Sequence, residues 1–119
     1  VLNCLEHMNG RELFIPKMPS TSVTEIAKAI CPECKIDIIG IRPGEKLHEV
    51  LIPKDEARNT LEFKNHYIVK PSIVFSERQR KINGGMPVGE DFEYNSETNP
   101  WHLTASELKK IINTALKIL

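Results

Sequence analysis

An α/β fold is expected from this chain on three observations. Strand-like and helical segments alternate through its first half, two Ser/Thr-x-x-Glu capping boxes open apolar-periodic stretches, and an apolar run ends in a Pro-Gly turn. Taken in order, Val1, Cys4, Leu5 and Met8 share a helical face that Asn9-Gly10 terminates. No cap precedes this helix, so the chain is expected to begin inside an element of something larger. Residues 12–16 read as a short strand, where Pro16 cannot donate to a ladder. Ser22-x-x-Glu25 caps a helix whose Val23, Ile26, Ala27 and Ile30 recur at i, i+3, i+4 and i+7.

A strand over residues 35–41 is expected to lead into the turn at Pro43-Gly44, and a short helix from about Glu45 to use Leu47, Val50 and Leu51 as its apolar face. Residues 55–61 suggest one more helical turn, and Tyr67, Val69 and residues 73–75 suggest extended segments around Pro71. Residues 76–100, rich in Gly, Pro, Asn, Ser and charge, read as a long irregular loop. Thr104-x-x-Glu107 then caps an amphipathic C-terminal helix with Leu108, Ile111, Ile112, Ala115, Leu116 and Leu119 on one face. That face is expected to pack on this domain or on a partner.

Composition narrows the function classes. At 119 residues the chain is the length of a single domain, and no internal repeat is visible. Sixteen basic and sixteen acidic residues cancel, so the concentrated positive footprint of a nucleic-acid surface is missing. The basic cluster Arg78-Gln79-Arg80-Lys81 reads as a solvated loop. Neither a membrane span nor a signal peptide is indicated, and a cytoplasmic protein is expected. Three cysteines, Cys4, Cys31 and Cys34, form an odd count that suggests reduced thiols. Cys31-Pro32-Glu33-Cys34 has the spacing of a redox pair or half a zinc site, but no second ligand pair accompanies it, and two ordinary thiols in a helix-to-strand turn are the preferred reading.

The densest collection of versatile groups is Arg42-Pro43-Gly44-Glu45-Lys46-Leu47-His48-Glu49. A guanidinium fork binds phosphate bidentately, and a neighbouring carboxylate accepts from sugar hydroxyls, so Arg42 beside Glu45 suits a ligand anionic at one end and hydroxylated at the other. In the expected helix, Glu45 and Glu49 lie one turn apart, with His48 also reachable. The competing interpretation is a solvated corner in which Arg42 and Glu45 form a surface ion pair.

Several catalytic signatures fail. Gly84-Gly85-Met86-Pro87-Val88-Gly89 follows a charged run, without the apolar strand that a dinucleotide-binding glycine turn requires. Tyr67 has Lys70 three residues on and Tyr94 has Thr98 four residues on, so neither offers Tyr-x-x-x-Lys. No Gly-x-Ser-x-Gly elbow or His-Glu-x-x-His helix occurs.

Four stretches together carry a resemblance: Ile15-Pro16-Lys17-Met18-Pro19-Ser20; Ile39-Gly40-Ile41 running into the 42–49 turn and Val50; Asp55-Glu56-Ala57-Arg58-Asn59-Thr60-Leu61-Glu62; and Phe92-Glu93-Tyr94-Asn95-Ser96. In this order they resemble the C-terminal part of the inverting UDP-N-acetylglucosamine 4,6-dehydratases, extended short-chain dehydrogenase/reductase enzymes that serve bacterial surface-polysaccharide, capsule, lipopolysaccharide and flagellin-glycan biosynthesis. The resemblance implies the substrate-binding portion of an extended Rossmann-type enzyme, with short strands, helices and a long loop. It places Arg42 on the UDP diphosphate and Glu45 on the ribose hydroxyls. Lys46, His48 and Glu49 match without an assigned role, His48 fitting a positioning residue.

NADP and the catalytic Tyr-Lys pair of that family lie on a preceding Rossmann domain, so residues 1–119 are expected to act as one substrate-binding piece without catalytic, cofactor-binding or metal-binding residues of their own. The intact enzymes are expected to be homo-oligomers. A free-standing nucleotide-sugar-binding or interaction module of the same fold stays open as the alternative.

Overall fold

The computed structural model describes residues 1–73 and 82–118. The expected extension at residues 74–75, the cluster Arg78-Gln79-Arg80-Lys81 and Leu119 of the C-terminal face lie outside these residues. The chain is mixed α/β with short strands, and it divides into two compact units.

The first unit comprises residues 1–17 and 50–95. It opens with helix α1 (Leu2–His7), which stops before Gly10 at φ +118°, the left-handed backbone that glycine tolerates and the Asn-Gly pair signals. Strand β1 (Leu13–Pro16) follows, then β2 (Val50–Ile52), a 3-10 helix (Lys54–Asn59), β3 (Thr60–Glu62), β4 (His66–Val69), β5 (Met86–Pro87) and β6 (Tyr94–Asn95). Four of the strands make an antiparallel sheet in the order β1-β4-β3-β5, and β2 pairs antiparallel with β6 across a register irregularity. Pro16 sits on the edge strand, where its missing N–H costs least.

Strand alternation explains the core. Tyr67 and Val69 point to one face of β4 and pack with Ile52 and Tyr94, flanked by Ile15, Val88 and Phe92. The Tyr67 ring lies 5.2 Å from Phe92 and 5.0 Å from Tyr94 in tilted arrangements. Burial raises the Tyr67 phenol pKa, with nearby Glu62 adding to the rise. Lys17 covers this ring at 5.0 Å and pairs with Glu62 at 2.6 Å. Gly85, at φ +78°, lets the backbone approach Phe63, whose ring would lie 2.7 Å from any added Cβ. The glycine-rich stretch thus serves close packing, and β5 and β6 give local order to a region expected to be wholly irregular.

The second unit comprises residues 18–49 and 96–119. Helix α2 (Val23–Ile30) starts at Ser22, whose Oγ accepts from the Glu25 N–H at 3.2 Å. Helix α3 (Ala105–Ile118) starts after Thr104, which exchanges bonds with Glu107 in a reciprocal capping box. Glu25 departs from the expected box: its Oε2 accepts from the Ala105 N–H at 2.9 Å, so it helps open α3.

The two strands of chain leading into these helices are tied by the buried Asn99. Its Nδ2 donates to the Met18 carbonyl at 2.8 Å and to Ser20 Oγ at 2.9 Å, while its Oδ1 accepts from the Trp101 N–H. A parallel bridge between Ser20 and His102 completes the junction.

Four expectations fail here. Residues 35–41 join no ladder and Ile36, Ile38, Ile39 and Ile41 are exposed; Gly40 at φ +86° breaks the extended path, and strand conformation persists only where a neighbour takes its hydrogen bonds. The helix beyond Glu45 is absent, because Gly44 also lies at positive φ and β6 recruits residues 50–52 into a ladder. On α2 the buried residue is Ala29, whereas Val23, Ile26 and Ile30 are exposed, so the helix turns a different face inward than its periodicity indicated. Finally, Cys31 and Cys34 are joined as a disulfide instead of standing as separate thiols; Cys4 is free. No helix among the described residues is long and apolar enough to cross a membrane.

Candidate functional site

The turn at residues 42–45 forms as its sequence requires. The Glu45 N–H donates to the Arg42 carbonyl at 3.0 Å, closing a reversal whose third residue, Gly44, lies at φ +85°. Proline at the second position and positive φ at the third are the signature of a type II turn. A Cβ on Gly44 meets no atom within 4 Å, so glycine is demanded here by backbone conformation and not by crowding.

The turn folds the Glu45 carboxylate back over Arg42. Its Oε2 accepts from the Arg42 N–H at 2.7 Å, and Oε1 lies 3.9 Å from the guanidinium Nε. Both side chains remain open to solvent, at 72% for Arg42 and 48% for Glu45. The exposed ion pair contributes little to stability at this length, so the Arg42 guanidinium is not fixed by it, whereas the Glu45 carboxylate stays held by the Arg42 N–H.

The other three candidate residues are arranged by the chain that follows, without a helix. Glu49 is anchored in both directions: its N–H donates to Ser96 Oγ at 2.9 Å, and its carbonyl accepts from the Ser96 N–H at 2.8 Å. His48 Nε2 lies 3.5 Å from a Glu97 carboxylate oxygen, which orients the ring toward the 96–97 segment. Gly44, Glu45, Lys46 and Glu49 line one open cleft of about 510 Å³, with Val23 of α2 as its apolar wall. The structure therefore brings together Glu45, Lys46 and Glu49, sets Arg42 at the edge through its contact with Glu45, and leaves His48 outside the lining. Two carboxylates and one ammonium in the cleft, with a guanidinium beside it, can accept from hydroxyls and donate to an anion at adjacent points.

A larger concavity, about 640 Å³, lies in the first unit against Val1, Cys4, Phe14, Phe63, Lys64 and His66. His66 stacks on Phe63 at 4.8 Å and on Phe14 at 5.9 Å. This concavity is mainly apolar and is lined by no carboxylate, whereas the smaller cleft combines Glu45 and Glu49 with Lys46. Sequence reasoning missed Val23 as a cleft wall and Ser96 as the anchor of Glu49, since neither is near the turn in sequence.

The chain is similar to known proteins over nearly its whole length. A family model described as polysaccharide biosynthesis protein matches residues 1–71, more than half of the chain. A Campylobacter jejuni protein named UDP-N-acetylglucosamine 4,6-dehydratase (inverting) is 44% identical over 95% of this chain, and an uncharacterized membrane protein of Methanocaldococcus jannaschii is 32% identical over 94%. The chain spans about a third of the length of these relatives, 36% and 34% respectively, and corresponds to the C-terminal part of the dehydratase. Among solved structures, that of Pen from Bacillus thuringiensis superposes with a TM-score of 0.75 at 26% identity, covering 97% of this chain and 35% of that one. On these matches the chain belongs to the polysaccharide biosynthesis protein family, in the portion shared with the C-terminal part of an inverting UDP-N-acetylglucosamine 4,6-dehydratase.

Proposed function

We propose that this chain is the UDP-sugar-binding part of a nucleotide-sugar dehydratase that converts UDP-N-acetylglucosamine to a 4-keto-6-deoxy sugar with inversion at C5, for bacterial surface polysaccharide or flagellin glycan synthesis. The observation that carries the proposal is the exposed Arg42–Glu45 pair held on a fixed Pro-Gly turn beside a polar cleft. Arg42 grips the diphosphate; Glu45, positioned by the Arg42 N–H on its Oε2, turns its Oε1 from the guanidinium to accept from the ribose hydroxyls. Lys46 and Glu49 extend the same alternation of donor and acceptor along the cleft, and His48 steadies the 48–49 backbone through Glu97.

NADP, the cofactor expected of the intact enzyme, does not fit the described residues. Gly84 and Gly85 lie against Phe63 and lead into β5, which leaves no strand-turn-helix cradle for a dinucleotide. The dehydration is accordingly assigned to the intact, cytoplasmic and homo-oligomeric parent, with its Rossmann domain supplying the cofactor; residues 1–119 act as one substrate-binding piece.

Isothermal titration with UDP tests the reading. Arg42→Ala is expected to weaken binding by about 2–4 kcal/mol, the scale of a lost charge-assisted bidentate contact. Glu45→Gln is expected to lower affinity for UDP while leaving pyrophosphate nearly unaffected. Unchanged UDP affinity in Arg42→Ala removes Arg42 from the site; equal losses for both ligands in Glu45→Gln reduce Glu45 to a residue that orients Arg42.

A further inference from the structure

The Cys31–Cys34 bridge is not used by the UDP-sugar reading, yet it stands at the root of the arm that carries the site. Cys31 is the C-cap of α2, its N–H donating to the Ala27 carbonyl at 2.8 Å. The chain then turns through Pro32 and Glu33, and the Cys34 N–H returns to the Cys31 carbonyl at 3.2 Å. The turn holds the two Cα atoms 5.4 Å apart, within the span that a disulfide bridges. Cys34 is exposed and Cys31 half-buried, so a small thiol reagent reaches the pair from solvent.

Electrostatics says which kind of thiol pair this is. The nucleophile of a dithiol oxidoreductase gains its low pKa from a helix N-terminus or a nearby cation. Here the cysteines sit at a helix C-terminus, where the backbone dipole opposes a thiolate; Glu33 between them adds a negative charge, and the charge of Lys35, next to Cys34, faces Asp37 at 3.9 Å. Such a pair is poorly suited to the rapid turnover of a dithiol oxidoreductase.

Its consequence is mechanical. From residue 35 to residue 41 the chain enters no ladder, and the far end of the arm meets the 96–97 segment through His48 on Glu97 and Glu49 on Ser96. The bridge thus fixes one root of the arm and the Glu49–Ser96 bonds fix the other.

We infer that Cys31 and Cys34 form a reversible thiol–disulfide site that takes its oxidising equivalents from a low-molecular-weight disulfide such as glutathione disulfide, and that closing it clamps the root of the arm bearing Arg42 and Glu45. The thiolate of the more exposed Cys34 attacks one sulfur of glutathione disulfide, forming a mixed disulfide and expelling one glutathione thiolate. The Cys31 thiolate then attacks Cys34 Sγ, forming the bridge and expelling the second glutathione. The protein pair loses two electrons and two protons, and the small disulfide is reduced to two thiols. Excess glutathione runs the same steps in reverse.

The test equilibrates the full chain in glutathione buffers from fully reduced to fully oxidised, blocks remaining thiols with N-ethylmaleimide and reads the mass. All three cysteines should be labelled in the reduced buffer and Cys4 alone in the oxidised one. In parallel, limited trypsin digestion should cut after Lys35 several-fold more slowly in the oxidised form, whereas Cys34→Ser should be cut at the faster rate in both buffers. Full labelling in glutathione disulfide, a persisting glutathione adduct in place of the bridge, or equal cutting at Lys35 in both states overturns the proposal. Neither readout uses a nucleotide, so failure here leaves the UDP-sugar reading untouched, and failure of that reading leaves this one standing.

Discussion

The two units of the chain are stabilised by different means. In the first, Ile52, Ala57, Leu61, Tyr67, Ile68, Val69 and Tyr94 are buried around a short antiparallel sheet. In the second, the buried residues among those described are Ala29 and Asn99, and order comes from helix caps, the Asn99 hydrogen bonds and a disulfide. The candidate site lies wholly in the second unit, where exposed backbone and adjustable ion pairs leave groups available to a ligand. The difference separates a scaffold whose stability is apolar burial from a binding region whose stability is polar and local.

Aromatic residues allow that contrast to be measured. Trp101, the single tryptophan, reports on the second unit, and Tyr67 and Tyr94, the two tyrosines, report on the first. The largest effect is expected from Ile52→Ala, which empties a fully buried position and should cost about 2–5 kcal/mol in urea unfolding followed by tyrosine near-UV circular dichroism. A smaller shift of the Trp101 fluorescence transition in the same variant sharpens the contrast; identical shifts break it, showing that one cooperative core serves both units.

Next comes Asn99→Ala, which removes the bonds to the Met18 carbonyl, Ser20 Oγ and the Trp101 N–H and should cost on the order of 2 kcal/mol in the Trp101 transition. A change within about 0.5 kcal/mol, the range of ordinary surface substitutions, would show that hydrogen bonding does not hold the second unit.

On α3 the structure divides a stripe that looks uniform in sequence: Leu108 and Ile112 are half-buried, while Ile111, Ala115 and Leu116 are exposed. Leu108→Asp is therefore expected to destabilise by about 1 kcal/mol or more, with Ile111→Asp nearly neutral. Equal losses at both positions in thermal melts would mean that a partner covers the outer half of the helix.

The smallest effect is a pH dependence. The Ala105 N–H bonded to Glu25, helped by Lys28, lowers the Glu25 pKa, and the Thr104 N–H does the same for Glu107. Both values lie below those of the unfolded chain, so this contribution is complete at neutral pH and disappears as pH falls through the lowered values. Trp101 fluorescence should show the second unit loosening below the usual carboxylate range, and Glu25→Gln should flatten that acid limb. An unchanged acid limb would remove Glu25 from the junction.

Local chemistry in the sequence was sufficient for α1 with its Asn-Gly stop, for Ser22 and Thr104 as caps and for the reversal at Pro43-Gly44, and in part for the helical turn expected over residues 55–61, which is a 3-10 helix ending at Asn59 with Thr60 and Leu61 in β3. Each depends on residues within four positions of one another, so proline, glycine and hydroxyl side chains determine the outcome before any tertiary contact forms. The pairing of Arg42 with Glu45 was legible for the same reason. Only the tertiary structure decided that residues 35–41 stay unpaired, that Val50–Ile52 becomes a strand on β6, that α2 buries Ala29, and that Ser96 anchors Glu49. A ladder, a buried face and a long-range anchor are each fixed by a partner distant in sequence, and periodicity states which residues seek burial but not which neighbour supplies it.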